Sequence, residues 1–201
     1  MPEGIPDYAT HYHVGGRPPF LNLSDLSDEE LDPVLAALGA ERAAGRSSRV
    51  FGRRYMELRR RTEDKLRRLF VEGGGAPSRR APHYFVLGAS KWYEGLAGGM
   101  EAVVVKLDDL PPDATSVTYP DSFTAMGQGA DLGLHHEPRP YHDTVFRLGH
   151  LPDLVARYGL PVDEAGGYEG YAHQPFEKYI EIQLWTDEPV AAHLPPSTVG
   201  T

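Results

Sequence analysis

Apolar and polar residues alternate along 179–185, Tyr-Ile-Glu-Ile-Gln-Leu-Trp, with the two-residue period of a β-strand. Ile180, Ile182 and Leu184 share one face, which the pattern assigns to a core. Tyr179, Glu181, Gln183 and Trp185 share the other, so a carboxylate stands among aromatic and hydrogen-bonding groups. A second alternation, over 9–14, sets Tyr12 and Val14 against His11 and His13 and stops at Gly15-Gly16 and Pro18-Pro19. Further strands are expected in APHYFVLG (81–88), in EAVVVKL (101–107) and in TVFRL (144–148). The uninterrupted Val103, Val104 and Val105 predict burial on both faces of their strand.

Helical spacing marks LSDLSDEELDPVLAALGAERAAG (23–45), where Ser27 followed by Glu30 has the form of a capping box and Leu31, Val34, Leu35 and Leu38 fall on one side. A second helix is expected over 49–71, burying Met56, Leu58, Leu66, Leu69 and Phe70 beneath a covering of arginines. GGGAPSRRAP (73–82) then reads as a mobile loop. Ser90 starts a short helix in SKWYEGL, and Gly159 with Pro161 ends another in LGHLPDLVARYGLP. The Gly- and Pro-rich stretch 125–143 and the Gly- and Tyr-rich stretch 163–175 read as loops over a surface or a site. Early helices, late strands and long loops predict an α+β domain, a single one over 1–201, with 1–8 and 194–201 flexible.

The absence of cysteine from all 201 residues excludes disulfide scaffolds, thiolate metal sites and cysteine nucleophiles. No apolar run approaches a membrane span, and the N-terminus MPEGIPDYATHYH lacks the layout of a signal peptide, so no membrane partner and a cytoplasmic location are expected. The net charge of −9 argues against nucleic acid, but its distribution is uneven. Between Arg42 and Arg80 stand 13 Lys and Arg against four acids, a local +9, which leaves −18 for the rest. Such a window either steers a polyanion onto one face or forms a solvated helix packed among acidic neighbours. No GxGxxG follows a strand, and neither a GxxxxGK[ST] loop nor a GxSxG elbow is present.

Five segments occur in a telling order: Tyr12-His13 on the first strand; the arginine helix through Arg59-Arg60-Arg61; Pro82-His83-Tyr84-Phe85 running into Ser90-Lys91-Trp92-Tyr93; Thr118-Tyr119-Pro120-Asp121; and Lys178-Tyr179-Ile180-Glu181. In this order and spacing, over roughly residues 9 to 190, the chain resembles the DarT family of nucleic-acid ADP-ribosyltransferases. The resemblance implies an ADP-ribosyltransferase-like split, mixed β-sheet with N-terminal helices. It implies NAD as substrate, no metal, and transfer of ADP-ribose to a nucleic acid base, with single-stranded DNA favoured and RNA the other acceptor. It also implies a toxin or phage-defence effector, and hence an antitoxin partner. Glu181 would be the catalytic carboxylate and Arg60 the arginine that assists NAD and the target base, with Arg59 and Arg61 one position away. His13, Tyr84 and Tyr93 would line the NAD pocket; Arg53, Arg54, Arg59 and Arg61 would grip the nucleic acid.

The chemistry agrees with such a role independently of the resemblance. Cleavage of the nicotinamide–ribose bond passes through an oxocarbenium-like state, which a fixed carboxylate stabilises. Arginine-directed relatives carry Glu or Gln two residues before the catalytic glutamate, where this chain has Tyr179, so an arginine acceptor is not expected. The turn TYPDSF is less basic than the family's usual one, which bears on the identity of the base. Two other readings use the same residues differently. His11 and His13 on a strand, with His135, His136, His142, Glu137 and Asp143 in a loop, could ligate a catalytic metal. The arginine helix with aromatic stacking platforms could bind nucleic acid without catalysis, which leaves Glu181 without a task.

Overall fold

The computed structural model describes residues 4–47, 50–95, 98–133, 136–161 and 177–194. Six strands, β1 (Tyr8–Val14), β2 (His83–Leu87), β3 (Met100–Lys106), β4 (Thr115–Thr118), β5 (Phe146–Arg147) and β6 (Glu181–Leu184), join in one sheet of order β3-β1-β2-β6-β4-β5. The helices are α1 (Asp28–Ala43), α2 (Arg53–Glu72), α3 (Lys91–Glu94), α4 (Ser122–Ala125) and α5 (Leu151–Tyr158). The architecture is α+β, as the segment order predicts. Every strand pairing among the described residues is antiparallel, so the sheet is not the mixed one expected.

The pleat sorts the core into two sides. Ala9, Phe85, Leu87, Val117, Ile180, Ile182 and Leu184 pack with Leu151 and Leu154 of α5. On the opposite face Val86 and Tyr179 meet Trp92 of α3, and Trp185 meets Leu66 and Phe70 of α2 with Ala125 and Met126. α1 rests on α2 through Leu31, Leu35 and Met56. Its N-terminus is closed by the capping box: Ser27 Oγ accepts from Glu30 N, and Glu30 Oε2 accepts from Ser27 N at 2.9 Å.

Sheet order explains where the strands depart from expectation. β6 lies between β2 and β4, and with α5 packed below the sheet and α2 above it both of its faces are buried rather than one. β3 is an edge strand with one face covered; Val104 is 60% exposed, and only Val103 and Val105 turn toward the core. The valine run is therefore an alternating edge strand, not a strand covered on both sides. Loop 73–82 is tied down: Ala76 N donates to Asp113 O, Ser78 N and Arg79 N donate to Trp185 O, and Arg79 pairs with Asp25 and Asp187.

β1 and β2 touch over a short seam. They share two register pairs, Ala9↔Leu87 and Thr10↔Val86, whereas β1 and β3 share seven, from Tyr8↔Lys106 to Val14↔Met100. Where the ladder opens, His11 fills the gap. Its Nε2 accepts from Phe20 N at 3.1 Å, so Nδ1 carries the proton and donates to Tyr84 O at 2.8 Å. Among the described residues no helix is long and apolar enough to cross a membrane. The predicted loop 163–175 and tail residues 195–201 lie outside the described residues.

Candidate active site around Glu181

Register builds the site in two rows across three strands. Val86, Glu181 and Thr118 are cross-strand neighbours, and so are Tyr84, Gln183 and Ser116. All six point to the α2 side of the sheet, since residues paired in register share a face. α2 lies over these rows. Its Arg59 guanidinium sits 4.0 Å above the Tyr84 ring, a cation–π contact, and its Nε donates to Glu63 Oε1 at 3.0 Å. Arg59 and Glu63 are four apart on the helix, so both turn inward together.

Glu63 is a buried carboxylate whose Oε1 also accepts from Ser24 Oγ at 2.9 Å and Tyr84 Oη at 3.0 Å. Three donors compensate its charge. Tyr84, held by Glu63 and partly buried, keeps its proton to a pH well above that of an ordinary phenol, chiefly through loss of solvent around it.

Glu181 is 5% exposed. Burial pushes its carboxyl up to about 7, and the charge of Asp121 adds to the rise. Ser122, Gln183 and Arg59 pull the other way. The Gln183 amide does so at 3.0 Å, Nε2 to Oε1. Asp121 precedes α4 and caps it, with Oδ1 accepting from Phe123 N at 2.9 Å and Thr124 N at 3.2 Å. Burial raises the Asp121 carboxyl as well, and its Oδ2 is buried without a hydrogen-bond partner among the described residues. Beyond Glu181 an aromatic wall continues the face. Tyr93 stacks on Tyr12 at 5.5 Å and tilts against Tyr179 at 5.2 Å, with Trp92 5.0 Å from Tyr93.

Of the residues singled out in the sequence, Glu181, Tyr84, Tyr93 and Arg59 gather on this face. Two of the residues expected at the NAD pocket do not join them. Arg60 leaves α2 toward α1, donating to Asp28 Oδ1 at 2.7 Å and Leu26 O at 2.9 Å, because one helical position turns a side chain by about 100°. His13 follows His11 onto the opposite face of the sheet, 3.9 Å from Glu101, since Tyr12 takes the Glu181 side.

The arginines expected to grip nucleic acid are mostly engaged. Arg53 pairs with Asp28 and Asp32, and Arg54 with Glu57 and Asp131; Arg61 is exposed. Lys65 pairs with Asp143. Acids distant in sequence thus fold back onto the basic window. For the metal reading, His11 is committed to the seam and His136 stacks on His142 at 5.2 Å. His135 lies outside the described residues, and among those described no group of three or more His, Asp and Glu could hold a metal ion.

Glu63, Asp121, Ser122 and Ser116 were not foreseen as parts of the site. An i, i+4 arginine–glutamate pair was the available signal for Glu63, and the alternation of ATSVT for Ser116. No family model matches the chain, and comparison with curated proteins and with solved structures finds no match.

Proposed function

We propose that this chain is an NAD-dependent ADP-ribosyltransferase in which Glu181 is the catalytic carboxylate, Arg59 the assisting arginine, and Tyr84 and Tyr93 the aromatic lining. The observation that carries this reading is a charge imbalance. Glu181 and Asp121 are two buried carboxylates, and the charge of Asp121 raises the proton affinity of Glu181, while the nearby Arg59 is already engaged by Glu63. A buried acid in that condition is relieved either by holding a proton or by a bound cation. The cationic nicotinamide ring supplies one in the ground state, and the oxocarbenium centre at the ribose supplies one in the transition state.

In this reaction the bond between ribose C1 and the nicotinamide nitrogen breaks, and nicotinamide leaves with the bonding electrons. A nitrogen or oxygen of the acceptor bonds to C1 and its proton passes to solvent or a site base. Binding of the cation favours the ionised form of Glu181, so substrate prepares its own catalyst. The short β1–β2 seam supports an ADP-ribosyltransferase-like split sheet, with a two-strand block and a four-strand block meeting at Ala9 and Thr10. The acceptor in this reading is a base of single-stranded DNA, with RNA the second substrate. Exposed Arg61 on α2 would meet its phosphates in this reading.

Labelled NAD offered with single-stranded DNA, RNA, protein and water tests the reading, with Glu181→Gln beside the wild type. Label on DNA that vanishes in the variant is the expected result. Nicotinamide release that persists unchanged in Glu181→Gln, or is absent from the wild type on every acceptor, overturns it.

A further inference from the structure

Behind Glu181 a line of hydrogen bonds runs in one direction. The indole Nε1 of Trp185 donates to Ser116 Oγ at 2.8 Å, and an indole N–H can only donate. Ser116 therefore spends a lone pair on the indole and directs its own proton to Gln183 Oε1, 2.8 Å away. With Oε1 held as an acceptor, the amide Nε2 of Gln183 faces the other way, 3.0 Å from Glu181 Oε1 and 2.9 Å from Thr118 Oγ1. The reversed amide would set a carbonyl oxygen against the carboxylate and face Ser116 Oγ, already turned toward Gln183 as a donor, with an N–H. Ser116, Gln183 and Trp185 are fully buried, so no water competes for these groups.

We propose that Trp185, Ser116 and Gln183 form a one-way relay that locks the Gln183 amide with its N–H toward Glu181, making Gln183 a positioning residue for that carboxylate. The direction originates in the indole, which sits three side chains from the carboxylate it orients. Trp185 is itself clamped against Phe70 of α2, ring centroids 6.1 Å apart, so the relay is anchored in the core. Gln183 thus does two things for Glu181. It fixes Oε1 in place, and it opposes the rise that burial imposes on the carboxyl. Other groups around Glu181 are Asp121 and Ser122 at the start of α4, Arg59 on α2, Tyr84 on β2 and Tyr179 two residues before β6. None of them reaches the carboxylate through the relay.

The catalytic consequence of the relay rests on Glu181 being the reacting carboxylate; its effect on Glu181 itself does not, and the test keeps the two apart. The carbon-13 signal of the Glu181 carboxyl, assigned with Glu181→Gln, is titrated in the wild type, in Ser116→Ala and in Trp185→Phe. Ser116→Ala removes one oxygen and frees the amide; Trp185→Phe keeps the ring against Phe70 and removes the donor. The relay predicts a Glu181 midpoint higher by about one pH unit in Ser116→Ala and displaced in the same direction in Trp185→Phe. Melting curves check that each variant is folded. An unchanged midpoint in a folded Ser116→Ala protein overturns the proposal. Where the wild type turns over NAD, the relay further predicts a lower kcat in Ser116→Ala with KM for NAD retained. A displaced midpoint in a protein that does not turn over NAD upholds the relay and removes only the enzymatic reading.

Discussion

Arg59 and Arg60 are consecutive on α2 and serve different partners: Arg59 lies 4.0 Å over Tyr84 on the Glu181 face, and Arg60 bonds Asp28 of α1 at 2.7 Å. A pair of substitutions separates their roles. Arg59→Lys loses the planar fork that stacks on Tyr84 while donating to Glu63, and nicotinamide release should fall by about 100-fold. Arg60→Ala should stay within about twofold of wild-type turnover, with a small drop in melting temperature. Steady-state assays and thermal melts on both variants check this. Equal loss in the two would remove the distinction.

Glu181 links stability to pH. Its midpoint in the folded chain, about 7, lies above the ordinary value of 4.5, so the folded state holds the proton more tightly than the unfolded chain. The stability this contributes is complete below about pH 4.5 and is lost as pH rises through 7. Relative to Glu181→Gln, which does not titrate there, the wild type should lose up to about 3 kcal/mol between pH 4.5 and 8. Urea unfolding at a series of pH values measures the difference. A constant gap between the two proteins would mean that Glu181 is not buried as described.

Turnover should follow the opposite course. The ionised carboxylate is the form that stabilises positive charge, so kcat/KM for NAD should climb through neutral pH, with its midpoint near that of the free protein. A rate independent of pH across this range would assign the chemistry to another group.

Glu63 serves Arg59 and Tyr84 rather than substrate. Glu63→Gln keeps the shape but weakens three hydrogen bonds to a buried charge, and should cost about 2 kcal/mol of stability. Turnover should fall through kcat, because Arg59 and Tyr84 lose their common anchor. Denaturation together with separate kcat and KM values tests both parts.

The α1 capping box offers a control remote from the reaction. Ser27→Ala removes the side-chain acceptor for Glu30 N and should lower stability by about 1 kcal/mol with turnover unchanged. Chemical denaturation and the transfer assay report the two effects independently.

Much of this arrangement was legible in local pattern. The alternation around Glu181, the Ser27–Glu30 box and the Ser90 cap depend on neighbours within four residues, and each appears where the spacing places it. What local pattern does not carry is sheet order. Val103 to Val105 read as a covered strand because a valine run looks alike at a centre and at an edge; β3 lies at the edge. His13 was grouped with Glu181 on chemistry, but which face of β1 meets which face of β6 is set by register through β2. Between a polyanion-steering face and a helix packed among acidic neighbours the basic window alone does not choose, since Asp28, Asp32, Asp131 and Asp143 reach it only through space. Arg59 is within the range of candidates, and one helical position separates it, over Tyr84, from Arg60, which faces α1.

The central position of β6 sets a limit on how this protein can be regulated. β6, which carries Glu181 and Gln183, is paired with β2 on one side and β4 on the other, so their backbone moves only when the middle of the sheet opens. Amide exchange at these two residues should therefore track global unfolding, while the edge strand β3 exchanges through smaller openings. Any effector that modulates the site has to work from above, through α2, α4 or the aromatic wall. The carboxylate is a fixed floor, and adaptation is confined to what closes over it.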